Sequence, residues 1–129
     1  VTGDDSGIID RDGNVITFAG LEPTTDGSGG AKTYSGTSGN DTISISGSGS
    51  SVTIAGPGED ITYTNPGSIT IDGLGGQDTV TVTSSLDMTG DNLSITAESI
   101  TVNSGVTITA NDITFTASAT DAGLLGGTQ

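Results

Sequence analysis

Four carboxylates hold the same place ahead of four runs in which aliphatic residues alternate with Ser and Thr. They are Asp41, Glu59, Asp78 and Glu98, each two residues before Ile43, Ile61, Val80 and Ile100. If those runs stack as neighbouring strands, equivalent positions lie about 4.8 Å apart and the acids form a ladder. Like charges that close repel, and a bound cation, a raised pKa or an outward splay relieves them. Carboxylate oxygens are hard donors of the kind that Ca²⁺ takes. Asp41, Asp78, Glu98 and Glu59 with its neighbour Asp60 are therefore candidate ligands, and Ca²⁺ is the candidate ion. A second oxygen-rich group lies in the D-x-D-G-N stretch, where Asp10, Asp12 and Asn14 have calcium-loop spacing. It lacks the Glu that closes an EF-hand loop at its twelfth position, and no helical pattern flanks it. The plainer reading is a hairpin turn at Asp12-Gly13, with Ile8–Asp10 and Val15–Phe18 as its arms.

Composition narrows what these acids can do. The chain has 129 residues, net charge −14 and no Cys, His or Trp, and its only bases are Arg11 and Lys32. Nucleic acids and anionic membranes are recognised by clustered Lys and Arg, so neither is an expected partner. No apolar run approaches transmembrane length, so membrane insertion is not expected. An enzyme is not expected either. Histidine and cysteine chemistry is absent, and the acids fall along a ladder rather than in the facing pair of a glycosidase. Pectate-lyase-like sites need bases beside their calcium, and Arg11 and Lys32 both precede the alternating runs. The absence of Cys suits a secreted, disulfide-free product, and a start at Val1 rather than Met points to processing or excision.

The elements that must position the acids are strands. Hydrophobic content is 30% and aromatic content 3%, too low for one thick core but sufficient for coils that each bury a few residues against their neighbours. From Val80 onward, apolar–hydroxyl runs begin at Val80, Leu86 and Leu93 and again 20 residues later at Ile100, Val106 and Ile113. Upstream, two columns of stacked apolar residues are expected: Ile43, Ile61, Val80, Ile100, and Val52, Ile69, Leu86, Val106. A third column, Leu93 and Ile113, is expected only in the last two coils, with Asp91 and Asn111 two residues before its members. No 3.6-residue stripe argues for a helix. The expected fold is all-β: a parallel β-solenoid (β-helix) of about four coils over residues 36–117 with an N-terminal β-hairpin cap over residues 1–21. Residues 22–35, rich in Gly, Ser and Thr, read as a loop, and residues 118–129 as a flexible tail or linker.

Two stretches resemble a known repeat. Gly36-Thr-Ser-Gly39-Asn-Asp41-Thr-Ile43-Ser and Gly73-Leu-Gly75-Gly76-Gln-Asp78-Thr-Val80-Thr are similar to the G-G-x-G-x-D-x-U-x nonapeptide of repeats-in-toxin proteins. That resemblance implies Ca²⁺ held between successive coils by Gly-rich turns and Asp carboxylates, with Gly36, Gly39, Asp41, Gly73, Gly76 and Asp78 as the matching positions. Thr37 and Leu74 depart from the second Gly, and the two copies are separated by other sequence rather than set in tandem. Without a cation, the same Gly and Asp residues simply turn the chain. More broadly, F-A-G-L-E-P, G-T-S-G-N-D-T-I-S-I and S-L-D-M…L-S-I-T-A-E-S-I-T-V-N resemble stretches of filamentous-haemagglutinin-like proteins and other giant bacterial surface adhesins. That resemblance implies a long right-handed β-solenoid at the cell surface, acting in adhesion or in building a matrix or fibre. Thr-x-Thr pairs such as Thr79/Thr81/Thr83 and Thr114/Thr116 resemble the hydroxyl ranks of some ice-binding solenoids, although Thr is also the default outward residue of a strand.

The functional expectation is a non-enzymatic structural module of a secreted bacterial surface protein or extracellular filament. Its expected partners are copies of itself, stacked head to tail through solenoid ends, or neighbouring modules of the same protein. The alternative is a calcium-dependent adhesion module that binds a glycan, a cell surface or ice.

Overall fold

The computed structural model describes residues 7–18, 24–58 and 60–117, without the side chains of 7–11 and 14–18. It is all-β, and no helix occurs among the described residues. The first element is the expected hairpin, β1 (Gly7–Arg11) and β2 (Asn14–Phe18), paired antiparallel with Ile9 opposite Ile16. Asp12 and Gly13 turn it with φ of 52° and 81°, the doubly left-handed geometry that a two-residue type I′ turn requires. Among the described residues its two strands pair only with each other.

Among the described residues, ten further strands make two sheets. They are β3 (Thr24–Asp26), β4 (Lys32–Ser35), β5 (Thr42–Ser48), β6 (Ser51–Ala55), β7 (Ile61–Thr64), β8 (Ile69–Asp72), β9 (Thr79–Val82), β10 (Leu86–Ala97), β11 (Ser99–Val102) and β12 (Ile108–Ala117). A four-stranded, wholly parallel sheet has the order β12-β10-β8-β4, and a six-stranded sheet has the order β11-β9-β5-β6-β7-β3. From β7 onward the chain alternates strictly between the sheets, one strand in each. β-Branched residues at period 2 favour this pattern, because each strand sends its aliphatic side chains to one face and its hydroxyls to the other.

Register then lines the aliphatic residues up. In the four-stranded sheet Tyr34, Ile71, Ile95 and Phe115 fall in one rank, and Lys32, Ile69, Leu93 and Ile113 in the next. In the other sheet Ile43, Val80 and Ile100 align, as do Ile45, Val82 and Val102. Ile43, Ile45, Ile71, Val80, Val82 and Ile95 are completely buried, and one contiguous cluster from both sheets forms the core.

The expected columns are corrected in four places. Ile61 does not stand between Ile43 and Val80; it pairs with Ile54 of β6 and with Thr24 of β3. Val52 likewise does not precede Ile69 in a column, because β6 runs antiparallel between β5 and β7 and sets Val52 between Gly47 and Tyr63. The cause is the two-residue turn at Gly49-Ser50, where Gly49 has φ 58° and sends the chain back along β5. This meander lengthens the first repeat to 37 residues, while the later ones take 20 to 24. The rank of Leu93 and Ile113 is therefore present from the start, through Lys32 and Ile69. Leu86 pairs with Ile108 rather than Val106, since β10 carries extra residues between Met88 and Asn92. Gly90 in that bulge has φ 91°. Residues 22–35 are not loop throughout, because β3 and β4 lie within them. Residues 118–129 lie outside the described residues.

The two ends of the paired sheets differ. At β4, Lys32 points to the core side and is held by Asp26 at 2.8 Å, with its ammonium 5.7 Å from the centre of the Tyr63 ring. At β11 and β12 the core-side residues Val102, Ile113 and Phe115 are 39%, 45% and 40% exposed.

Candidate functional site

The two Gly–Asp turns that lie apart in the sequence are neighbours in space. The 37-residue repeat stacks Gly36–Asp41 directly against Gly73–Asp78, with Thr42 of β5 opposite Thr79 of β9. Backbone bonds tie them: Thr79 N–H donates to the Asp41 carbonyl at 2.9 Å, and Gly75 N–H to the Thr37 carbonyl at 3.4 Å. Asn40 joins the stack by accepting from Gln77 N–H at 2.9 Å.

The acids at the strand starts act as acceptors across the stack. Asp78 Oδ1 takes the Asp41 N–H at 2.9 Å, and Glu98 Oε2 takes the Asp78 N–H at 2.8 Å. Asp41 turns back on its own loop, where Oδ2 accepts the Thr37 N–H and Oδ1 the Thr37 hydroxyl at 2.8 Å. Each acid thus satisfies a backbone donor that the turn leaves without a ladder partner, and hydrogen bonds to a charged acceptor are the stronger kind.

Glycine makes room for this. A Cβ on Gly36 would fall 2.7 Å from the Gly73 carbonyl oxygen and against the Asp41 carboxylate. A Cβ on Gly73 would fall against the Asp78 carboxylate, 2.8 Å from its Cβ and Cγ. Gly76, at φ 114°, packs equally close to the Gly39 carbonyl. The glycine five residues before each Asp is therefore a steric requirement of the folded-back carboxylate. Leu74 takes a left-handed backbone, φ 73°, where the repeat family has its second Gly, and its side chain is 54% exposed.

One oxygen is left over. Asp78 is 1% exposed, and among the described residues its Oδ2 has no hydrogen-bond partner. Burial pushes its pKa up, the bond from the Asp41 N–H opposes that, and the charges of Glu98 and Asp41, together with the side-chain contact with Glu98, push it further up. Among the described residues no three acidic side chains converge in a geometry for a metal ion. Ca²⁺ takes six to eight oxygens, whereas most carboxylate oxygens of the ladder already serve backbone or hydroxyl donors.

Of the sequence candidates, the structure brings together Asp41, Asp78 and Glu98. Glu59 lies outside the described residues. Asp60 is half-buried, and its carbonyl accepts the Thr24 N–H at 3.0 Å. Asp12 sits exposed at the hairpin turn; Asp10 and Asn14 pair through their backbones with Val15 and Arg11, and their side chains lie outside the description. Sequence reasoning missed Thr37 and Asn40, whose signal was a polar residue four and one positions before Asp41. It also missed the Lys32–Asp26 pair, marked only by a base at a core-side position of the Lys32–Ser35 alternation. No protein-family model, no curated protein and no solved structure matches the chain.

The two perturbed acids pull stability in opposite directions with pH. Asp78 binds its proton more tightly when folded, so its contribution to stability falls as pH rises from the ordinary carboxylate range through its raised value. Asp26 is held well below the ordinary range by the hydrogen bonds from Lys32 and Ser28. Its contribution is present above the ordinary carboxylate pKa and lost as pH falls through the lowered one. Asp78→Asn keeps an Oδ1 acceptor for Asp41 and removes the charge. Urea titrations of parent and variant from about pH 4 to pH 7 should show the variant gaining stability relative to the parent as pH rises. A difference that does not vary with pH would contradict the assignment.

Proposed function

We propose that the chain is a non-enzymatic structural module: a short parallel β-solenoid of about four coils, one for each strand of the four-stranded sheet. The observation that carries this reading is the in-register stacking of β5, β9 and β11 beside β4, β8, β10 and β12, with the core strung between them. Strands of successive coils pair with one another in register, the condition for a structure that grows by repetition. A strongly acidic outer surface and the absence of Cys suit an extracellular setting, in a secreted bacterial surface protein, filament or matrix. In this reading the hairpin β1–β2 belongs to the cap, and the module joins copies of itself or neighbouring modules through its ends.

A solenoid tolerates the loss of one coil. Deleting residues 79–98 joins Asp78 to Ser99 and offers β11 to β5 and β12 to β8, in the registers that β9 and β10 now occupy. The shortened chain should keep a β-sheet circular-dichroism spectrum and a cooperative melt at lower temperature. A chain without any thermal transition would contradict the solenoid.

A second reading, a calcium-dependent adhesion module for a glycan, a cell surface or ice, draws support from the stacked Gly–Asp turns and the orphaned Asp78 Oδ2. Here Ca²⁺ binds between the turns of Asp41 and Asp78 and stabilises the fold by mass action. Melting with excess EDTA and with millimolar Ca²⁺ separates the two readings. An unchanged midpoint supports the structural module, and a rise of several degrees in Ca²⁺ supports the adhesion module.

A further inference from the structure

We infer that β12 is the contact edge of a two-fold dimer in which two copies of this chain meet tail to tail; the inference rests on the reading of the chain as a module joined through its ends. Among the described residues β12 is the last strand of the four-stranded sheet, so the backbone donors and acceptors on one side of a ten-residue strand face outward. Ile113 and Phe115 continue ranks whose other members, Leu93 and Ile95, are 1% and 0% exposed. Val102 does the same beyond Val82 in the adjoining sheet. Register places these three side chains on the core side, and no further strand among the described residues covers them. A free strand edge beside an uncovered apolar rank is a pairing surface.

The opposite end does not complement it. Lys32 occupies in β4 the position that Ile113 occupies in β12, and it is turned inward, only 11% exposed and paired to Asp26. An inward charge on an edge strand is a standard bar to further pairing. Stacking β4 of one copy on β12 of another would desolvate the ion pair against Ile113 without offering a new partner.

A second copy of β12 does complement it, and charge favours that occupant. In a chain of net charge −14, the fourteen positions of β11 and β12 hold one ionised side chain, Asp112. Two such chains therefore meet at this face with little charge repulsion. Opposed residues of an antiparallel pair share a face. A two-fold axis at Thr114 therefore sets Ile113 of each copy against Phe115 of the other on the core side, and Asp112 against Thr116 on the outer side. The two Asp112 residues are then roughly 14 Å apart along the strands, beyond the screening length of about 8–10 Å at ordinary salt. The contact is isologous and closes at two copies.

The chain contains no cysteine, which makes disulfide trapping clean. Thr114 and Thr33 are exposed positions of one outer rank, on the two opposite edges of the sheet. Across a two-fold at residue 114 the facing Cα atoms lie about 4.5–5.5 Å apart, within disulfide reach. Mild oxidation of Thr114→Cys should give a covalent dimer, Thr33→Cys should stay monomeric, and the double variant should stop at dimers. Sedimentation of the unmodified chain should show a monomer–dimer equilibrium that tightens with added salt, and Phe115→Lys should weaken it at least tenfold. Oligomers beyond two from the double variant would replace this contact with head-to-tail stacking. Equal trapping of Thr33→Cys and Thr114→Cys, or an unmodified chain that is monomeric at every concentration, would overturn the proposal. The deletion of residues 79–98 tests the winding independently, so a chain that survives it and remains monomeric contradicts the dimer alone.

Discussion

Register is the constraint on which everything else rests. In a parallel stack of strands with period-2 side chains, a slip of one residue exchanges the buried aliphatic rank for the hydroxyl rank. Ile43, Val80 and Ile100 would leave the core together, and Thr42, Thr79 and Ser99 would enter it. The alternation supplies the penalty for slipping. The turns supply the pins, because Asp78 and Glu98 each hold the N–H of the acid one repeat earlier, at the residue just before a strand begins. Asn40 with Gln77 adds another pin beside them. Each such bond contributes on the order of 1 kcal/mol, more with a charged acceptor, and its larger effect is to make wrong registers leave several buried groups unpaired at once.

With register fixed locally, the length of each repeat is free to vary. The first takes 37 residues because β5, β6 and β7 form a meander, and later ones take 20 to 24. Extra chain is absorbed in turns and in the bulge of β10, while the pinned positions stay aligned. The price falls on glycine. Gly36 and Gly73 cannot carry side chains where the carboxylates fold back, and Gly76 cannot where the turns stack.

Much of this was legible in the residues. Alternation located the strands of the later repeats, Asp12-Gly13 located the hairpin, and the two-residue offset located three members of the acid ladder. The direction of a strand was not legible, because an antiparallel strand alternates in the same way as a parallel one. Alternation alone therefore puts Val52 and Ile61 in columns that they do not join. Lys32 escaped because a base at a core-side position looks like a break in the pattern; its meaning depends on Asp26 and Tyr63, which only the fold brings near. The stacking of the two Gly–Asp turns was hidden by the length of chain between them.

The structural reading and the alternative of a cation-dependent binder part at the stacked turns. What divides them is whether the carboxylates serve the backbone or an ion. Amide hydrogen exchange at Asp41 and Asp78, in metal-free buffer, addresses that question at the atoms concerned. Both amides lie in turns, where exchange is ordinarily fast. If the Asp78 and Glu98 carboxylates hold them, they should exchange only through opening of the sheets, as slowly as the core strand amides of Ile43 and Val80. Exchange at loop rates from both positions without metal, slowed only when Ca²⁺ is added, would contradict a self-sufficient ladder.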